Sequence, residues 1–178
     1  MKDSFRLGIT LTVICAIAAA VLAFTYSVTK NQIEMQKKIK QDNANKEAFK
    51  GADKFVPLKT SIKFENELDK VFEADKNSNK KGYVFLLHPR GYGGPIEMVV
   101  GVDLDGKVLG ISIVSNNETP GLGAGIIDPK FQKQFKGKSS SDKLEVGQDI
   151  DGLTGATISS KAVTKAVSQA VKNFAKLK

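Results

Sequence analysis

The sequence predicts an α+β fold: an antiparallel sheet with packed helices, behind one N-terminal transmembrane helix. Three observations predict it. An uncharged apolar run opens the chain, three short apolar runs in its middle are separated by turn residues, and a helical stripe of small apolar residues closes it.

Leu7 to Val28, LGITLTVICAIAAAVLAFTYSV, is 22 residues without a charge. At about 1.5 Å per residue this length crosses a hydrocarbon core of roughly 30 Å. A cleavable signal peptide, with Lys2 and Arg6 as its basic start, is the competing reading. The run is longer than a usual signal core, so an uncleaved anchor at 7–28 is expected, with 1–6 before it. Lys30, Lys37, Lys38 and Lys40 follow the span and, counted naively, would keep the large C-terminal part inside. Long domains cross largely regardless of such charges. Cys15 lies within the span as an apolar filler, leaving the rest of the chain free of thiols and compatible with an oxidising compartment.

Residues 29–50 are polar, lysine-rich and free of glycine and proline, and read as a juxtamembrane helix or a solvated linker. Gly51 and Pro57 break any helix, so the globular domain is placed at 51–178. A short strand is expected around Val71-Phe72. Strands are expected at Gly82–Pro89, Ile96–Asp103 and Lys107–Ser115, the last two alternating apolar and exposed positions. Asp105-Gly106 between them is a two-residue hairpin signal, because both residue types tolerate positive φ. Val163, Ala166, Val167, Ala170, Val171 and Phe174 recur at three- and four-residue steps, which predicts an amphipathic helix starting near Ser159 or Ser160.

The net charge of +8 raises the question of nucleic acid. The lysines are scattered, and Arg6 and Arg90 are the only arginines, so no nucleic-acid partner is expected. Anionic lipid or an anionic cofactor suits the charge at least as well. Gly121, Gly123 and Gly125 look superficially like a dinucleotide fingerprint, but Ile126 stands where its last glycine belongs, and the P-loop pattern is absent too. His88, the single histidine, reads as a strand-end residue rather than a base.

Three loop segments remain. "PRGYGGPIE" and "NNETPGLGAGI" flank the strands and let backbone approach a flat or bulky ligand; Thr119-Pro120-Gly121 also makes an ordinary turn. Glu118, beside these glycines, is a solvated loop carboxylate by default. "DGLTGATISSKAV", Asp151 to Val163, places Gly152, Gly155 and Ala156 around Thr154 and Thr157 just ahead of the helix. A helix start favours an anion such as phosphate. Capping by Ser159 or Ser160 is the simpler explanation, but it leaves Asp151, the small residues and Thr157 unexplained.

Asp-x-x-Thr-Gly-Ala-Thr, Asp151 to Thr157, resembles the flavinylation motif of the FMN-binding domain family. "ETPGLG", Glu118 to Gly123, and "GYGGPIEMVVGVD", Gly91 to Asp103, resemble further segments of two subunit types in that family. These are the G subunit of the Rnf ferredoxin:NAD+ oxidoreductase complex and the C subunit of the Na+-translocating NADH:quinone oxidoreductase. The short chain favours the former.

The resemblance implies an electron-transfer subunit that couples ferredoxin/NAD+ redox to Na+ or H+ translocation. It implies FMN joined by a phosphoester to Thr157, with Gly155, Ala156 and Lys161 about the phosphate and Thr154 also among the cofactor-binding residues. Glu118, Thr119, Leu122 and Gly123 would then line the ring. Implied partners are other membrane and iron-sulfur subunits, a flavin transferase for maturation, and the lipid bilayer. The implied location is the cytoplasmic membrane, with a single pass and the C-terminal domain on the outer face. No metal site is expected, and no substrate turnover independent of the complex. A stand-alone flavin-binding module and a quinone-reductase C-type subunit are the alternatives. Residues 30–79 carry no family motif.

Overall fold

The computed structural model describes residues 2–58 and 67–177. Residues 59–66 lie outside the described residues. Two compact units divide the chain, Met1–Lys40 and Gln41–Lys178.

The described residues of the first unit are all helical, part of α1 (Lys2–Ala48). Phe5–Ala48 contains a window with a mean hydropathy of 2.5, none of it buried, long and apolar enough to cross a membrane. Thr10, Thr12, Thr25 and Thr29 each donate their hydroxyl to the carbonyl four residues earlier, at 2.8–2.9 Å. Their polar atoms are thereby satisfied within the helix, which an apolar surrounding requires.

The second unit is an antiparallel sheet in sequence order, β1 (Lys54–Pro57), β2 (Leu68–Lys76), β3 (Asn79–Leu87), β4 (Glu97–Asp103) and β5 (Val108–Ser115). The fold is therefore α+β, as the sequence predicts. Both faces of the sheet are covered. Tyr83, Phe85 and Leu87 of β3 and Met98, Val100 and Val102 of β4 point into one core, and Val84, Leu86 and Val99 into a second.

The first core is closed by α3 (Thr157–Ala175) and the short α2 (Pro129–Lys133). All six stripe residues expected from the periodicity of α3 are buried, and Phe174 meets the Tyr83 ring edge-on at 6.0 Å. The second core is closed by Ala44, Ala48 and Phe49 at the end of α1. Here close approach dictates sequence. Gly101 and Gly110 are register partners, and a Cβ on Gly101 would lie 2.5 Å from the Ala48 carbonyl oxygen. Ser112 Oγ donates to Glu47 Oε2 at 2.7 Å on the same seat.

Two turns differ from expectation. The two-residue hairpin with both positions at positive φ is Asn77-Ser78 (φ 50° and 62°), between Lys76 and Asn79. At the expected site, only Gly106 has positive φ, 84°. Asp103 instead organises a longer turn, its Oδ1 accepting from the N–H groups of Asp105 and Lys107. A carboxylate that spans the turn from the preceding strand makes the tighter geometry unnecessary. β1 was not expected, and β2 is longer than the Val71-Phe72 core from which it was inferred.

Candidate functional site

The β3–β4 connection, the loop after β5 and the start of α3 meet at one end of the sheet, around a cavity of about 450 Å³. That volume suits a small-molecule ligand. Each wall has a local cause. In the first loop, Gly91 N–H donates to Gly94 O at 2.8 Å, a tight turn that leaves Tyr92 75 % exposed at the cavity. In the second, Thr119-Pro120-Gly121-Leu122 forms the expected turn, with Leu122 N–H on Thr119 O at 3.1 Å and Gly121 at φ 78°. The third wall is Gly155 to Ser159.

Helix α3 starts at Thr157, two places before the nearer of the serines expected to open it. Ala156 is its N-cap, and no side chain caps it. The expected capping by Ser159 or Ser160 does not occur, because both hydroxyls are committed elsewhere. Ser160 Oγ accepts from Leu153 N–H at 2.9 Å and donates to Ala156 O at 3.0 Å, folding the preceding turn onto the helix. Ser159 Oγ donates to Glu118 Oε2 at 2.6 Å. The first N–H groups of α3 are thus left open toward the cavity side, where an anion gains hydrogen bonds and dipole interaction. Thr157 is exposed at that end, and its hydroxyl makes no hydrogen bond among the described residues.

Glu118 is no solvated loop carboxylate. It is 6 % exposed, and it also accepts from Gly93 N–H at 3.1 Å. A Cβ on Gly123 would come 2.3 Å from its Oε2, so the loop glycine is there to let the carboxylate in. One side chain therefore ties the Tyr92 loop, its own loop and α3 together, while still lining the cavity.

Among the residues expected from the sequence, Glu118, Thr119, Leu122, Gly123, Gly155, Ala156 and Thr157 line this cavity. Thr154 lines the neighbouring hollow with Pro120, Leu122 and Ile127. Lys161 is exposed on α3, one turn beyond Thr157, and lines neither. Tyr92 and Ile158 line the cavity without having been singled out, and Ser159, expected only as a helix cap, lines it too. Ile158 carried a signal: it is a large apolar residue at the helix start, off the buried stripe, and it is 54 % exposed.

The approach to Asp151 is braced by a second carboxylate. Asp149 Oδ1 accepts from Glu145 N–H at 2.9 Å, and its Oδ2 from Leu144 N–H at 3.1 Å and Lys138 Nζ at 3.2 Å. Leu144 is held at φ 50°, unusual for a leucine. The Glu145 N–H, then the Leu144 N–H and Lys138 against some burial, hold the Asp149 carboxyl below the usual carboxylate range. A lowered folded-state pKa gives stability that is full above the unfolded value of about 3.9 and lost as pH falls through the folded one. Asp149→Asn is expected to cost about 1–2 kcal/mol at neutral pH. Thermal melts should show that gap shrinking below about pH 4; a gap independent of pH overturns the account.

A threonine hydroxyl at an open helix start stands beside a glycine-walled, partly apolar cavity in this α+β domain, an arrangement that suits a small molecule with an anionic end. Residues 91–172 match the family model of the FMN-binding domain, and residues 1–47 that of the RnfG N-terminal region. The chain is 39% identical over 174 residues to the G subunit of the proton-translocating ferredoxin:NAD(+) oxidoreductase complex of Clostridium ljungdahlii, covering 94% of this chain and 89% of that one. It is 34% identical over 195 residues to the Na(+)-translocating counterpart of Acetobacterium woodii, covering 99% and 94%. Among solved structures, it is 31% identical to the C subunit of the Na(+)-translocating NADH-quinone reductase from Parabacteroides distasonis, with a TM-score of 0.49 over 60% of this chain and 61% of that one. The chain belongs to the family of G subunits of ion-translocating ferredoxin:NAD(+) oxidoreductase complexes.

Proposed function

We propose that this protein is an electron-relay subunit of a membrane-bound Rnf-type complex, coupling ferredoxin/NAD+ redox to Na+ or H+ translocation and carrying FMN in phosphoester linkage on Thr157. The observation that carries the proposal is the Thr157 hydroxyl. It is exposed and without a partner among the described residues, on the first turn of an uncapped helix, at a cavity walled by glycine loops. When bound, FMN supplies one- and two-electron redox chemistry.

The chain's own residues hold and shield it. The open N–H groups of α3 receive the phosphate, with Lys161 one turn away as a further positive charge. Tyr92, Leu122 and Ile158 offer apolar surface to a flat ring, and Gly123 and Gly155 let backbone come close. No His, Cys, Asp and Glu cluster that could hold a metal occurs among the described residues. Among the described residues that line the cavity, Glu118 is the one carboxylate, and its two oxygens accept from Ser159 and Gly93, which suits it to holding the walls together.

A covalent tether suits a domain on the outer face of the membrane, where a diffusible cofactor is lost by dilution. Attachment requires a flavin transferase, and the lipid bilayer takes the 7–28 span. The other subunits of the complex, including its iron-sulfur proteins, are the electron partners.

Gentle purification of the tagged chain from its native membranes tests the reading. The expected result is a flavin spectrum, FMN mass retained after denaturation, and several co-isolating membrane subunits. A chain without flavin overturns the proposal; a flavin-bearing chain that isolates alone replaces it with a stand-alone module.

A further inference from the structure

β5 is the last strand of the sheet, and its outer edge is closed at one end alone. There Val108 N–H donates to Lys138 O at 2.8 Å and Gly137 N–H donates to Val108 O at 2.7 Å. From Leu109 to Ser115, among the described residues, the backbone makes no hydrogen bond apart from its pairing with β4. Beside this open edge runs a groove of about 680 Å³, with Ile111 and Ile113 on the strand side and Ile127, Lys133 and Lys136 opposite.

Charge selects the occupant. Lys50, Lys133 and Lys136 line the groove without a carboxylate partner among the described residues, and its one acid, Glu47, is bonded to Ser112. A second copy of β5 would bring the same lysines against these, the arrangement by which edge strands avoid self-pairing. An extended acidic segment would satisfy the open backbone and the lysines together, as in strand addition to a sheet edge.

Position selects the purpose. Ile127 and Pro129 belong both to this groove and to the hollow containing Leu122, and Leu122 also lines the flavin cavity. Ile127, at 56 % exposed, is one of few large apolar side chains left open in this unit.

We propose that the open edge of β5 takes an extended acidic segment of another subunit of the complex as an added strand, seating that subunit beside the flavin cavity. This rests on the complex-subunit reading above. A photo-cross-linker placed by Ile127→p-benzoylphenylalanine in the full chain, irradiated in native membranes and purified with the complex, tests it. The expected product joins the chain to an Asp- and Glu-rich extended segment of another subunit. Its yield should fall about tenfold or more in a Lys133→Glu/Lys136→Glu background. A Lys76→Glu/Lys172→Glu background should leave it unchanged. Covalent flavin fluorescence and the co-purified subunits are read in every sample.

With flavin attached and subunits present, the proposal is overturned by cross-links to lipid, to a second copy of this chain or to a segment that is not acidic. It is equally overturned by no cross-link, or by a yield indifferent to charge reversal. Loss of flavin or of all co-purifying subunits from the unsubstituted chain instead overturns the reading on which the proposal rests.

Discussion

Thr157→Val is expected to abolish covalent flavin fluorescence on a denaturing gel when the flavin transferase is co-expressed. Valine keeps the shape of threonine and removes only the hydroxyl that would carry the phosphoester. The substitution isolates chemistry from folding, because Thr157 is exposed and its hydroxyl makes no hydrogen bond among the described residues. Helix propensities of the two residues are close, so the stability change should stay within about 0.5 kcal/mol. A melt indistinguishable from that of the unsubstituted chain would therefore accompany total loss of fluorescence. Fluorescence at the unsubstituted level would overturn Thr157 as the point of attachment. Thr157→Ser, which restores a hydroxyl on the same turn, should recover attachment at least in part.

Glu118→Ala is expected to have the largest effect on the site as a structure. It strands the Gly93 N–H and the Ser159 hydroxyl, which lose their shared acceptor, and leaves a void against Gly91 and Gly123. Leaving the buried Ser159 hydroxyl unsatisfied costs about 1–3 kcal/mol and the void adds to it, whereas Gly93 is exposed and its N–H can turn to water. A total near 3 kcal/mol lowers the melting temperature by roughly 6–12 °C in a chain of this size. Glu118→Gln keeps a carbonyl acceptor and much of the volume, so it should lose less than half as much. Covalent flavin should fall in the alanine variant and persist in the glutamine variant, because the wall's geometry is what the carboxylate supplies. Melts of both variants equal to that of the unsubstituted chain would show that the tie between the loops and α3 carries no energy. Loss of flavin in both, with normal melts, would point to a direct role for the negative charge.

The sequence announced elements whose apolar residues are self-sufficient. β3 carries the apolar run Tyr83–Leu87, β4 and β5 carry apolar residues at alternate places or closer, and the stripe of α3 repeats along most of the helix, so all could be read without knowing their neighbours. β1 and most of β2 could not. "KFVP" and "LDKVFEADK" mix charges with half-buried positions near the sheet edge, and their strand character comes from pairing, β2 with β3 and β1 with β2, rather than from local preference.

The site divides in the same way. The glycine loops and the threonine-bearing turn are local patterns, and they do converge on one cavity. The burial of Glu118 was illegible because its two donors lie 25 and 41 residues away. Tyr92 stayed hidden for a related reason: a lone aromatic between glycines reads as loop until the fold turns it toward the other two walls.

The glycine seat under Ala48 has a consequence for the order in which the chain can become native. The second core needs the end of α1, made early, and the Gly101–Gly110 pair, made late, so its contacts are long-range in sequence. Loop closure of that kind is slow, since entropy is lost before any contact repays it. Until β2, β3 and β4 are synthesised and paired, Ala44, Ala48 and Phe49 remain an open apolar surface, and β5 completes the cover with Leu109 and Val114. The C-terminal turns of α1 therefore wait for strands that are all synthesised after them, and the second core is completed only when the chain has been made as far as β5.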